Sequence, residues 1–244
     1  MPVSKLSAYT AKLPYAYAPG MYPSHALLDE KPLCAKRLLL HSSALESEGA
    51  ITLQQRCEKL GIRSEIADTA LSRISRKENC YAAIVFEKYT DTLSDRERHI
   101  VLHQPSDMGN LGTILRVCLG FSFADIALIR PAADSFDPRV VRASMGALFS
   151  TRVRYFDTFE AYRDEYPAHH LYPFMLDGMP LHQMREIPNE PYALLFGNEA
   201  AGLSASFLQV GQPLRIVHSE RIDSLNLANA VSIGVYAFAV LSSC

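Results

Sequence analysis

From residue 36 onward, short apolar runs alternate with stretches of helical periodicity. Arg37 to His41 (RLLLH) has the length and continuity of a buried strand, and LQQRCEKLG is helical until Gly61 stops it. Ile62 to Ile66 predicts a short strand, ADTALSRIS a helix, and YAAIVFEKY a further strand, which closes a compact unit near residue 90. DTLSDRER carries no apolar period and is expected to be a polar linker. A second unit then opens with the strand HIVLHQ and a helix from about Gly109 to Phe121. The strand ADIALIR and the helix DPRVVRASMGALF follow, with Pro138 placed in the first helical turn. TRVRYF, HHLYPFML and YALLFG are further strands, and LRIVHS leads into a last helix, roughly Leu225 to Leu241. Strands alternating with helices predict an α/β fold with a parallel sheet covered on both faces. Ahead of both units, residues 1–35 form a Tyr/Pro-rich arm in which Pro14, Pro19, Gly20 and Pro23 forbid a long helix. Its tyrosines suit packing against the body better than stacking on bases.

Composition narrows this picture. With 244 residues, 48% of them hydrophobic, the chain can bury a substantial core and is not disordered. No apolar run reaches membrane-spanning length, and MPVSKLSAYTAKLPYAY lacks the apolar stretch of a secretion signal, so a cytoplasmic protein is expected. Cys34, Cys57, Cys80, Cys118 and Cys244 are odd in number and widely spread. The eight histidines fit no metal-binding spacing, and no metal is expected. The net charge of −2 does not announce a nucleic-acid partner. Its distribution is more suggestive: residues 1–98 hold 14 Lys+Arg against 12 Asp+Glu, whereas in 99–244 every cation is arginine, the residue whose planar fork suits phosphate. Pairing with carboxylates accounts for such arginines equally well.

Three segments of the second unit place small and polar residues just after a strand, where open α/β sheets bind ligands. In SDMGNLGTILRVCLGF, Ser106 or Asp107 can cap a helix whose first turn holds Asn110, with Arg116 further along. Read alone, this is also an ordinary strand-to-helix turn with a surface arginine. In LLFGNEAAGLS, Glu199 stands between Gly197 and Gly202, where it can accept hydrogen bonds from loop amides or simply face solvent. In IVHSERIDSLNLANAVSIGVYAF, Asp223 or Ser224 can cap the last helix, with Asn226 and Asn229 near its start. Polar groups there need partners or a ligand. Two arginine pairs also share a face, Arg139 with Arg142 on a helix and Arg152 with Arg154 on a strand. These are candidate phosphate contacts, with Arg73, Arg76 and Lys77 as further candidates in the first unit.

In this order, Asn110-x-Gly112-x-x-x-Arg116, then Gly197-x-Glu199-x-x-Gly202-Leu203-Ser204, then Ser224-Leu225-Asn226, the segments resemble the three motifs of the SpoU/TrmH family of SPOUT-class RNA 2′-O-ribose methyltransferases. The resemblance covers about residues 98–244, while residues 36–90 more loosely resemble the small L30e-like substrate-binding domain of many members. It implies a parallel-sheet domain with a C-terminal trefoil knot, a homodimer, S-adenosyl-L-methionine (SAM) as methyl donor, and rRNA or tRNA as substrate. On the matching positions it implies Asn110, Arg116, Glu199, Ser224 and Asn226 as the catalytic set, with Gly197, Ile216, His218 and Leu225 around the cofactor. One departure stands out: the family commonly has isoleucine-proline-methionine where this chain has Ile216-Val217-His218, which removes a rigid proline and adds a titratable ring.

A ribose hydroxyl must lose its proton to become a nucleophile, and the resemblance gives Arg116 a part in that step. A guanidinium stays protonated, so its expected role is to hold the neighbouring phosphate and favour the forming oxyanion. Ser224 and Asn226 would orient it, and Asn110 would shape the pocket. The main rival is a non-catalytic RNA-binding module that keeps the fold; retention of all five polar positions speaks against it. A nicotinamide enzyme would need G-x-G-x-x-G with an acid on the next strand. A class I methyltransferase would need a glycine-rich turn after its first strand. Neither is present.

Overall fold

The computed structural model describes residues 6–75, 80–185 and 191–241, and the chain forms two compact units. One comprises residues 1–89 with 134–150, the other residues 90–133 with 151–244.

The first unit is a four-stranded mixed sheet built from β1 (Tyr15–Pro19), β2 (Ala35–Leu40), β3 (Arg63–Ile66) and β4 (Ala82–Glu87), in the order β1-β4-β2-β3. β1 and β2 flank β4 antiparallel, and β2 pairs with β3 in parallel. The Tyr/Pro-rich segment therefore supplies an edge strand and α1 (Met21–Glu30). Its prolines sit where they cost least, Pro19 at the strand end and Pro23 in the first helical turn. α2 (Glu48–Lys59) and α3 (Asp68–Ser75) fall where their apolar spacing places them. The helix expected over DPRVVRASMGALF is instead two, α5 (Pro138–Ala143) and α6 (Ala147–Ser150), and both belong to this unit. They are broken at Met145 and Gly146, which have φ of 51° and 86°. A Cβ on Gly146 would stand 2.5 Å from the Cβ of Ala26, so only glycine lets α1 approach there.

The second unit is a six-stranded, all-parallel sheet. β5 (His99–His103), β6 (Asp125–Ile129) and β7 (Arg152–Phe156) run outward in one direction. β9 (Tyr192–Phe196), β8 (His170–Pro180) and β10 (Leu214–Arg215) lie on the other side, giving the order β10-β8-β9-β5-β6-β7. Parallel strands covered on both faces should be apolar throughout, and β9 (YALLF) and β6 (DIALI) are buried at every position. The remaining helices are α4 (Met108–Gly120), α7 (Phe159–Glu165) and α8 (Leu227–Leu241), with α8 packed on α4. The polar stretch before β5 is anchored rather than loose: Leu93 is buried in the core, and the Ser94 amide donates to Asp125 (3.0 Å).

The strands lead in opposite directions from β5 and β9. The carboxyl ends of this pair form the switch point at which a ligand crevice is expected. At the other end of the sheet, far in sequence from one another, His99, Asp125 and His169 are buried together. His99 Nε2 donates to the Ser94 carbonyl (2.7 Å), so its Nδ1 accepts from the Tyr162 hydroxyl (3.0 Å), and the His169 ring lies against it with centroids 4.1 Å apart. Burial, reinforced by His169, lowers the His99 pKa to about 4, and burial lowers that of His169 as well. Among the described residues no helix is long and apolar enough to cross a membrane, and no group of three His, Cys, Asp or Glu is placed to hold a metal. Cys34, Cys57, Cys80 and Cys118 are free thiols, and Cys244 lies outside the described residues.

Candidate functional site

The loops after β5 and β9 meet at the switch point through one carboxylate. Glu199 Oε2 accepts from the Ser106 amide (3.1 Å) and hydroxyl (3.0 Å), and Oε1 from the Asp107 amide (3.0 Å) and Asn110 Nδ2 (3.4 Å). Burial raises the pKa of Glu199, but the donated bonds from Asp107 and Ser106 outweigh it and hold the carboxyl below its ordinary value. Asp107 caps α4 by accepting from the Asn110 amide (2.7 Å), which leaves the Ser106 hydroxyl for Glu199.

The loop after β9 has little freedom. A Cβ on Gly197 would stand 2.1 Å from the carbonyl carbon of Gly202, and Gly202 has φ of 64°, so both positions demand glycine. Asn198 closes the turn: its Oδ1 accepts from the Ala200 amide (2.9 Å) and the Ala201 amide (3.2 Å), while Nδ2 donates to the Gln104 carbonyl (2.7 Å). Gln104 adopts φ of 57°, a left-handed conformation that a side chain with Cβ takes only under constraint.

The third segment joins through Asn226, whose Nδ2 donates to Asn110 Oδ1 (3.0 Å). Asn226 is also the cap of α8, its Oδ1 accepting from the Ala228 amide (2.9 Å) and the Asn229 amide (3.3 Å). This corrects the expectation that Asp223 or Ser224 caps the last helix. Asn226 to Asn110 to Glu199 is thus one continuous hydrogen-bonded line through all three segments.

Beside it opens a cavity of about 470 Å³, within the size range of small-ligand sites. Gly197, Ile216, His218, Ser224 and Leu225 all line it, so the structure brings together every residue expected around the cofactor. Phe196, Leu203 and Leu227 add apolar wall, and Asp177 and Arg215 add charge of both signs. His218 is turned back onto its own segment, with Nδ1 donating to the Ile216 carbonyl (2.9 Å). Sequence reasoning missed Asn198, although an asparagine between a strand and a glycine-containing turn is a recognisable signal. It also missed Asp177 and Arg215, which nothing local marks.

Arg116 stands apart from this group. It is exposed on α4, does not line the cavity, and has no hydrogen bond or ion pair among the described residues. The four candidate phosphate contacts divide. Arg152 is committed to the fully buried carboxylate of Asp125 through both Nε (2.7 Å) and Nη2, and Arg154 donates to Glu165 (2.8 Å). Their shared strand face thus carries ion pairs within the protein, which is the physical alternative to phosphate binding. Arg139 holds its own Asp137 through Nε and Nη2, both at 2.9 Å, yet remains largely exposed. With Arg142 and Arg73 it lines a cavity of the first unit. Arg76 and Lys77 lie outside the described residues.

Comparison with known proteins gives the relatives of the chain. The model of the SpoU rRNA methylase family matches residues 97–236. The tRNA (cytidine(34)-2′-O)-methyltransferase of Escherichia coli is 32% identical over 142 residues, covering 57% of this chain and 89% of the relative. The 23S rRNA (guanosine(2553)-2′-O)-methyltransferase of Bacillus subtilis is 28% identical over 235 residues, 85% of this chain and 93% of the relative. In fold, the chain is similar to the SpoU methyltransferase AviRb of Streptomyces viridochromogenes in complex with AdoMet. That likeness has a TM-score of 0.82 at 20% identity and covers 94% of this chain and 91% of that one.

Proposed function

Because the chain belongs to the SpoU rRNA methylase family, we propose that it transfers the methyl group of SAM to a ribose 2′-hydroxyl of rRNA or tRNA. The observation that carries this reading is the hydrogen-bonded line Asn226–Asn110–Glu199, which ties three separate loops around one cavity at the β5/β9 switch point. The cavity suits SAM: apolar walls for the adenosine, and Asp177 and Arg215 for the amino and carboxylate groups of the methionine end. Gly197, Ile216, His218 and Leu225 would hold it. When bound, SAM supplies a methyl group on a sulfonium, activated for in-line attack by an oxygen.

The residues of this chain then have separable tasks. Glu199 fixes the loop after β5 and does not act on the hydroxyl, because its oxygens are taken by Ser106, Asp107 and Asn110. Asn110 and Asn226 hold the third loop in register, and Ser224 lines the cavity. Arg116 keeps its fork for the RNA: a phosphate beside the target ribose and the oxyanion forming on it.

Arg116 needs a second surface to complete such a site, and the reading includes a homodimer that supplies it. Ile233, Tyr236 and Val240 form an exposed apolar stripe on α8, and Phe121 at the end of α4 stacks edge-on against Tyr236 (5.9 Å), beyond what a lone protomer needs. The C-terminal segment is read as a trefoil knot. β10 lies at the sheet edge, yet α8, which follows it, packs on α4 and β9. Residues 36–90 are read as the L30e-like substrate-binding domain, and the place of work as the cytoplasm.

The B. subtilis relative, which matches 85% of this chain, is named for rRNA, whereas the E. coli relative, which matches 57%, is named for tRNA. Ribosomal RNA is therefore the first substrate to try. The test is mapping 2′-O-methyl groups on total RNA from cells with and without the gene, followed by transfer from labelled SAM to the unmethylated RNA. An unchanged methylation map and no transfer would overturn the reading.

A further inference from the structure

The first unit holds a cavity of about 550 Å³ that the proposed reaction does not use. Among the described residues, three guanidinium groups line it, Arg73 from α3 and Arg139 and Arg142 from α5, together with one carboxylate, Asp137, which Arg139 holds. The rest of its lining is small or flat and largely apolar, notably Tyr9, Pro19, Ile74 and Pro138. This arrangement arises because the segment between β6 and β7 leaves the parallel sheet and packs in the first unit, bringing two arginines to one already there. Charge follows the same division: the first unit carries 14 Lys+Arg against 11 Asp+Glu and the second 10 against 15. The overall charge of −2 thus conceals a basic unit and an acidic one.

A cavity that combines several cations with flat apolar walls matches one chemistry, a phosphate-linked aromatic ring. Its volume lies in the small-ligand range, larger than a lone phosphate requires. Sequence-specific RNA recognition works on unstacked nucleotides, whose bases lie against aromatic or guanidinium planes while cations hold the backbone. We infer that this cavity receives one extruded nucleotide of the RNA substrate, its base against Tyr9, Pro19 and Pro138 and its phosphates on Arg73, Arg139 and Arg142. The inference rests on the RNA-methyltransferase reading. It assigns the first unit a specific task, capture of a nucleotide, beyond general attraction of the backbone.

The test is steady-state methyl transfer from labelled SAM to total RNA of cells lacking the gene, comparing the wild type with Arg73→Gln/Arg139→Gln. Both side chains are exposed, and Arg96→Gln serves as a control for simple loss of charge. Removing two cations that hold phosphate should raise KM for RNA about tenfold or more. It should also flatten the dependence on salt by roughly 0.7 for each phosphate no longer neutralised, with kcat and SAM affinity unchanged. An unaltered KM, or a fall confined to kcat, overturns the inference. If the double variant melts early, Arg73→Gln alone gives the same readout. A photocrosslink from 4-thiouridine-substituted RNA transcribed from the same genes should map to the peptide holding Tyr9, and crosslinks confined to the second unit count against the cavity. Failure of the wild type to methylate any RNA would instead refute the enzymatic reading itself.

Discussion

Glu199→Gln is the change whose consequences the geometry defines most closely. The substitution keeps the shape of the side chain and replaces one acceptor oxygen by an NH2 group. The carboxylate serves donors on both sides, the Ser106 amide and hydroxyl at Oε2 and the Asp107 amide with Asn110 Nδ2 at Oε1. Whichever way the glutamine amide turns, its NH2 faces a backbone N–H that can only donate. One charge-assisted bond is lost outright and the others weaken, at about 1.5–3 kcal/mol for each bond to a charged group. Partial exposure of Glu199 favours the lower end, so a local cost of about 2 kcal/mol is expected.

That cost falls on the docking of the β5 and β9 loops, not on the sheet beneath them. If SAM binds only the docked form, its affinity drops by up to about 30-fold, the equivalent of 2 kcal/mol. Amide exchange at Ser106 and Asp107 should accelerate by a similar factor, while strands β5 and β9 stay protected. The pH dependence has a definite sign. Because the folded pKa of Glu199 is lowered, its contribution is complete above the ordinary carboxylate value and is lost as pH falls through the folded value. The variant should lack that acid-side loss. Calorimetry with SAM and exchange measured by mass spectrometry provide the assay. Unchanged affinity together with unchanged protection of Ser106 and Asp107 would refute the claim that this carboxylate organises the site.

Four further outcomes follow from the same structure. Arg116→Ala should fold and bind SAM normally, because Arg116 does not line the cavity and has no hydrogen bond or ion pair among the described residues, yet single-turnover transfer should slow by ~10²–10³-fold; wild-type turnover would remove Arg116 from the chemistry. Asn226→Ala should cost about 1 kcal/mol as the lost cap of α8, lowering Tm by about 2–4 °C, whereas Ser224→Ala should not; equal melting of the two would contradict the capping observed. Burial lowers the pKa of His99 to about 4 and shifts His169 in the same direction, so their unfolded counterparts protonate first below pH 6.5; stability is complete above that value and falls on acidification, for His99 until about pH 4. For His99 the slope is about 1.4 kcal/mol per unit, on the order of 2 kcal/mol by pH 5. Urea midpoints at pH 7.5 and 5 that coincide in the wild type would exclude it. If the proposed homodimer forms through the apolar stripe of α8, Tyr236→Glu should shift sedimentation from dimer to monomer by placing a charge there, and an unchanged sedimentation coefficient would refute that interface.

What could be read from the sequence was whatever depends on local period and local turn chemistry. β5, β6, β8 and β9 announce themselves as apolar runs and β7 by its alternation, and Gly197 and Gly202 bracket Glu199 because a tight turn leaves no room for Cβ. Partnership across the fold was not legible. Arg152 and Arg154 share a face as their alternation requires, but alternation cannot reveal that Asp125 and Glu165 wait opposite them. β1 escaped notice because tyrosines, alanines and prolines give no clean period. It is held by pairing with β4, some seventy residues away. The helix over residues 137–149 failed for a related reason: its periodicity is sound, yet α1 packs so closely at Gly146 that the chain must turn there. The same logic governs the cap of α8. Ser224, Asn226 and the preceding aspartate are all competent caps by residue type. Asn226 takes the role because its other end is fixed by Asn110, so one side chain both starts the helix and joins it to the site. Residue type proposes several caps, and the tertiary bond selects among them.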